Sequence, residues 1–191
     1  MQLLIDRIRK EGKVLPGGIV KVDGFLNHRV DTALLSALAD EFAKHFPIDR
    51  ITMVLTAEAS GIALATVCAQ KYGVPMLFAK KAKSDNIEGG LYQSDVFSYT
   101  YKKTVTYIVS QEWLHASDHV LIIDDFMAKG NAMQGLIDLV RAAGATLEGV
   151  GVAIEKGFQG GGDRFRALGV PYKALAVIDK ADGAELTFRA E

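Results

Sequence analysis

Two adjacent acids, Asp124 and Asp125, close the apolar run VLIIDD (Val120–Asp125) and lead through a short turn into a helix. Carboxylates at the exit of a buried strand are costly unless they meet hydrogen-bond donors. The vicinal hydroxyls of a ribose are suitable donors, since each can give one hydrogen bond to a carboxylate. The turn Ala128-Lys129-Gly130-Asn131-Ala132 runs directly into the helix, so its backbone N–H groups can converge on a phosphate with help from the helix dipole. Small side chains at Ala128, Gly130 and Ala132 leave room for that approach. Spacing alone leaves a second reading open, in which the acids face water and the turn is only a turn. The stretch is neither a P-loop nor a dinucleotide fingerprint, because G-x-x-x-x-G-K and G-x-G-x-x-G are both absent from it.

The elements around this stretch must hold it in place. Leu3, Leu4 and Ile8 put apolar groups on one face of an N-terminal helix that Gly12 ends. IVKV (Ile19–Val22) reads as a short strand. Asp31 or Thr32 caps a helix whose Leu34, Leu35, Leu38 and Phe42 recur at steps of three and four, and which stops before Pro47. ITMVLT (Ile51–Thr56) is a buried strand, Gly61–Tyr72 an alanine-rich helix ended by Gly73, and MLFAKK a strand closing on Lys80 and Lys81. The polar segment from Ser84 to about Tyr101 has no clear periodicity and reads as an irregular loop. After VLIIDD come a helix over Ala132–Ala143, stopped by Gly144, and the strands VGVAIEK and ALAVID. Apolar strands separated by helices predict a single α/β domain with a mainly parallel sheet flanked by helices. Ligands of such sheets bind beyond the carboxyl ends of the strands, where the acid pair lies.

Composition narrows the function classes. The 191 residues carry 22 Lys+Arg against 23 Asp+Glu, a formal net charge of −1, which argues against a protein dedicated to nucleic acid. The single cysteine, Cys68, cannot form an intramolecular disulfide and suits a reducing compartment. The N-terminus meets charge at Asp6, so no signal peptide is expected, and no apolar run is long enough for a membrane span. A cytoplasmic location is the expectation.

The stretch VLIIDDFMAKGNAMQGL (Val120–Leu136) resembles the 5-phosphoribosyl 1-diphosphate motif of the type I phosphoribosyltransferases. The resemblance implies that family's fold, with Asp124 and Asp125 holding the ribose hydroxyls and Ala128, Lys129, Gly130, Asn131 and Ala132 holding the 5′-phosphate. Alanines stand at 128 and 132 where most members place threonine, so two hydroxyl donors are missing and backbone amides must do more of the work. In this the chain resembles the branch acting on xanthine. TAEASGIALA (Thr56–Ala65) is similar to the family's diphosphate loop, which implies diphosphate contacts at Ala59, Ser60 and Gly61; by itself it reads as a plain helix start. Lys81 falls where the family presents a basic residue to diphosphate, often across a dimer interface, and the segment from Ser84 to Tyr101 falls where it has a loop that closes over substrate.

Two further pieces resemble the xanthine branch. In IVKVDGFLNHRVD (Ile19–Asp31) Val20 and Asn27 match its base-contacting positions, although leucine is usual at the place of Val20. In AIEKGFQGG (Ala153–Gly161) Lys156 follows an apolar strand; as a lone residue it reads as a surface lysine. Lysine offers donors only, which favours the two carbonyls of xanthine and disfavours the amino groups of adenine and guanine. Phe126 or Phe158 is placed to stack on a base, though each reads more readily as a core aromatic. The implied whole is a homodimeric salvage enzyme joining xanthine to 5-phospho-α-D-ribose 1-diphosphate. Its magnesium would be carried by the diphosphate rather than held by a protein metal site. A small hood over the base would come from residues 1–35 and part of 157–191. A guanine, hypoxanthine or adenine enzyme, or a ligand-sensing regulator of the same fold, are the alternatives. His115 and His119 lie four apart without a ligand set and are read as surface residues, and Cys68 as a buried apolar group.

Overall fold

A computed structural model of the chain describes residues 1–81, 89–98, 103–182 and 185–190. The chain opens with α1 (Gln2–Glu11) and a hairpin of β1 (Lys13–Leu15) and β2 (Ile19–Lys21). One π-helical turn over Asp23–Asn27 and α2 (Thr32–His45) follow. Next come β3 (Met53–Ala57), α3 (Gly61–Tyr72) and β4 (Met76–Ala79), a parallel β–α–β unit. A second antiparallel hairpin, β5 (Leu91–Ser98) with β6 (Lys103–Ser110), precedes β7 (His119–Met127), α4 (Asn131–Ala142) and β8 (Thr146–Lys156). The last elements are α5 (Gly161–Ala167), β9 (Tyr172–Asp182) and β10 (Glu185–Phe188).

Six strands form the central sheet in the order β10-β9-β8-β7-β3-β4, parallel throughout except for the C-terminal β10. The expected strands and helices are where their patterns placed them. Asp31 accepts a hydrogen bond from the Leu34 amide at 3.1 Å and so caps α2. Leu35, Leu38 and Phe42 are fully buried, each contributing roughly 1.5–3 kcal/mol of apolar burial. Gly73 ends α3 in the left-handed conformation, φ 68°, which a residue with a Cβ adopts at a cost. Helices α1 to α3 cover one face of the sheet, and α4 with the β5–β6 hairpin covers the other.

Two expectations need correction. Leu3 is 52% exposed, and the buried stripe of α1 is Leu4, Ile5 and Ile8. The segment from Ser84 to Tyr101 is not uniformly irregular: Leu91–Ser98 is a regular strand, and only residues 82–88 and 99–102 lie outside the described residues. Its partner Lys103–Ser110 went unread because its apolar positions begin only at Val105. The short helix α5 lies in a glycine-rich stretch to which the sequence patterns assign no element.

Candidate functional site

The exits of β3, β4 and β7 converge on a cleft of about 330 Å³. Its walls are Glu58 and Ser60 after β3, Lys81 after β4, Asp124 and Phe126 on β7, and the turn Met127–Met133. Val96, Phe97, Val105 and Tyr107 of the hairpin close its apolar side.

Asp124 lines the floor of this cleft and Asp125 does not, and the two acids have unlike surroundings. Asp125 takes hydrogen bonds from the Ser60 hydroxyl (3.0 Å), the Asn27 side-chain amide (2.8 Å) and the Phe126 backbone amide (3.0 Å). Asp124 accepts from the Asp125 backbone amide at 3.0 Å, and burial together with the neighbouring Asp125 charge pushes its carboxyl well above the usual carboxylate range. Burial and the charges of Asp124 and Glu58 likewise raise the Tyr107 hydroxyl to about 12. The floor is packed tightly: a methyl on Gly61 would lie 2.2 Å from Thr56 Oγ1 and 2.4 Å from Asp124 Oδ1.

On the phosphate side, Gly130 adopts φ 87° at the start of α4, and no side chain caps that helix. The N-terminal N–H groups of α4 are therefore not taken up by a capping side chain, the arrangement an anion needs. Ala128, Lys129, Gly130, Asn131 and Ala132 all line the cleft. Asn131 also gives its side-chain amide to the Phe97 carbonyl at 3.1 Å, tying this turn to the hairpin.

Across the cleft, the turn after β3 carries a cis peptide between Glu58 and Ala59. The Glu58 carboxylate accepts the Lys81 backbone amide at 2.6 Å, which joins this turn to the end of β4. Ser60 and Lys81 line the cleft; Ala59 and Gly61 lie behind it. The Lys81 ammonium stands 5.9 Å from the centre of the Tyr107 ring, in the cleft of its own chain.

The three residues expected at the base lie on the far side of Asp125 and Phe126. The Lys156 ammonium is 5.7 Å from the Phe126 ring centre and 3.4 Å from the Gly18 carbonyl, and partial burial lowers its pKa. Asn27 is spent partly on Asp125, so the N-terminal segment is joined to the acid pair. Val20 has its side chain in the core and pairs with Val14 in the β1–β2 hairpin. Phe158 packs at Gly18 and remains 43% exposed. Sequence reasoning missed Tyr107, Val96 and Phe97, whose place at the cleft depends on how the hairpin folds over α4. It also missed Glu155, a fully buried acid paired with Arg166; a charged residue inside the apolar run VGVAIEK was the available signal. Among the described residues no group of three or more His, Cys, Asp or Glu could hold a metal ion, and no helix is long and apolar enough to cross a membrane.

Comparison with known proteins agrees with this geometry. The chain is 50% identical to a xanthine phosphoribosyltransferase of Lachnoclostridium phytofermentans, with 100% of both chains covered. It is 50% identical to one of Bifidobacterium longum over 99% of this chain and 100% of that one. Among solved structures, adenine phosphoribosyltransferase of Giardia lamblia in complex with 9-deazaadenine superposes with a TM-score of 0.76 at 24% identity, covering 91% of this chain and 96% of that one. The enzyme of Trypanosoma brucei in complex with AMP, pyrophosphate and ribose-5-phosphate gives 0.74 at 22%, covering 94% and 84%. These two likenesses establish the fold. Residues 32–174 match the phosphoribosyl transferase domain, and the chain belongs to the phosphoribosyltransferase family, on its xanthine phosphoribosyltransferase branch.

Proposed function

We propose that the chain transfers the 5-phosphoribosyl group of 5-phospho-α-D-ribose 1-diphosphate to xanthine, releasing diphosphate and giving xanthosine 5′-monophosphate. The observation that carries this reading is the pairing, in one cleft, of buried Asp124 with the uncapped start of α4 and with Lys81 on the opposite wall. In this reading the turn 128–132 binds the 5′-phosphate, and Asp124 and Asp125 orient the ribose hydroxyls. Ser60 and Lys81, with the backbone at Ala59 and Gly61, receive the diphosphate. Lys156 and Asn27, with the backbone of Val20, read the base.

The residues work by alignment and charge. Burial makes the ionised form of Asp124 unfavourable in the empty protein, and ribose hydroxyls arriving as donors stabilise it. The negative charge then lies beneath an anomeric carbon that becomes cationic as the bond to diphosphate breaks. Lys81 offsets the growing charge on the leaving group. The few carboxylates at the cleft suit a magnesium ion that arrives on the diphosphate, and when bound it neutralises part of that charge. Lys156 gives donors only, which fits carbonyl oxygens on the base. The lone, buried cysteine accords with a cytoplasmic setting, and a homodimer with the family resemblance.

The test is to incubate the protein with the diphosphate substrate, magnesium and each of xanthine, guanine, hypoxanthine and adenine in turn. Nucleotide formation fastest from xanthine is expected. Preference for adenine, or binding of the diphosphate substrate without any turnover, would refute the proposal.

A further inference from the structure

We infer that Glu155 and Arg166 are positioning residues for the phosphate turn, acting through three consecutive glycines that let α5 press against its back. The inference rests on the assignment of residues 128–132 to the 5′-phosphate. Asn131 ties the turn to the hairpin on one side, but no side chain caps the helix behind Gly130, whose φ is 87°, so the turn needs support from behind. That support is α5. The Gly161 amide donates to the Ala128 carbonyl at 3.1 Å. A methyl on Gly161 would lie 2.3 Å from that carbonyl oxygen and 2.9 Å from the Gly130 nitrogen, so the two backbones are in direct contact. Phe165, 1% exposed, fills the space under Gly130, where a Cβ would come within 2.7 Å of its ring.

The helix is in turn held by Glu155. A methyl on Gly162 would meet the Glu155 carboxylate at 2.3 Å, so this glycine too is a point of contact rather than of freedom. Glu155 is fully buried and accepts both terminal nitrogens of Arg166, with Nη1 to Oε1 at 3.1 Å, and the Tyr172 hydroxyl at 3.1 Å. Arg166 also bonds Asp163 at 2.7 Å, and Arg164 reaches Gln134 of α4 at 2.8 Å. Gly160 completes the run with φ 77°, the bend that turns the chain from the Lys156 end of β8 into α5. A bidentate ion pair whose acid is fully buried ties the helix to β8 with a geometric specificity that an apolar contact lacks. A displacement on the order of 1 Å at a substrate-positioning loop is enough to cost turnover.

Steady-state kinetics on Glu155→Gln, Arg166→Lys and Gly161→Ala test this, with ribose 5-phosphate binding measured by calorimetry. Each variant is expected to raise KM for the diphosphate substrate, and to weaken ribose 5-phosphate binding, by about ten-fold or more while KM for xanthine moves by less than about three-fold. Arg166→Lys should retain more affinity than Glu155→Gln because it keeps the charge. Gly161→Ala removes no ion pair and remains informative where Glu155→Gln fails to fold. Equal rises in both KM values, or a fall in kcat with ribose 5-phosphate binding unchanged, would overturn the inference while leaving the proposed reaction intact. A wild-type protein that binds no ribose 5-phosphate would overturn the reaction and the inference together.

Discussion

Asp124 is more costly to the empty protein than Asp125, because Asp125 has three donors and Asp124 takes one backbone amide from its neighbour. Its folded pKa lies above the ordinary 3.8, so the stability cost is absent below 3.8, grows as pH rises from there and levels off above the folded value. Asp124→Asn should therefore stabilise the unliganded protein at neutral pH by about 1–3 kcal/mol, the gain shrinking as pH falls, while activity drops by roughly 100-fold or more. Chemical denaturation at several pH values, beside an activity assay, checks both halves. Lys156→Ala should weaken xanthine use far more than binding of the diphosphate substrate. Burial lowers the pKa of Lys156 below 10.5, so xanthine KM should begin to rise at a lower pH than an ordinary lysine would give, and Lys156→Met should lack that limb. The acid pair and the lysine were legible because each terminates an apolar run. The Asn27–Asp125 bond joins residues 98 positions apart, and no local pattern encodes it.

At the scale of elements, what could be read was whatever repeats at helical spacing or stays apolar through a whole strand. α2 and α3 carry their own stops, and β3 and β7 are buried on both faces. The β5–β6 hairpin was hidden because only one end of it packs on the protein; Lys103 and Thr104 at the start of β6 are exposed, whereas Tyr107, Ile108 and Val109 are buried. Its seat is Gly135 of α4, where a methyl would come 2.2 Å from Val96 Cγ2 and 3.4 Å from the Tyr107 ring. Gly135→Ala should cost about 1–3 kcal/mol by overpacking and lift the hairpin from the cleft. Thermal denaturation measures the first effect, and faster amide hydrogen exchange at Val96 and Tyr107 the second. The glycines of α5 misled for a related reason: glycine signals either freedom or close approach, and only the neighbour's identity tells which.

Across the whole molecule, β7 lies between β8 and β3, so the central strand carries the acid pair while its neighbours lead to Lys156 on one side and Ser60 on the other. The strand order itself was not legible, since alternation of strands and helices permits several. Lys81 lines the cleft of its own chain, at the end of β4. Sedimentation should show a species of about twice 20.6 kDa. Mixing Lys81→Ala chains with Asp125→Asn chains should restore no activity beyond the sum of the two; recovery would mean that the lysine crosses between subunits. The residues at 155 and 156 also have opposite allegiances, one clasping α5 and the other facing the N-terminal hairpin. Because side chains alternate along a strand, deleting a single codon within β8 would set the Lys156 ammonium under α5, and inserting one would set the Glu155 carboxylate in the place of Lys156, facing the N-terminal hairpin. The length of this strand is therefore fixed from both ends at once, and frame-preserving insertions that survive selection should cluster at the exposed turns and avoid residues 146–156.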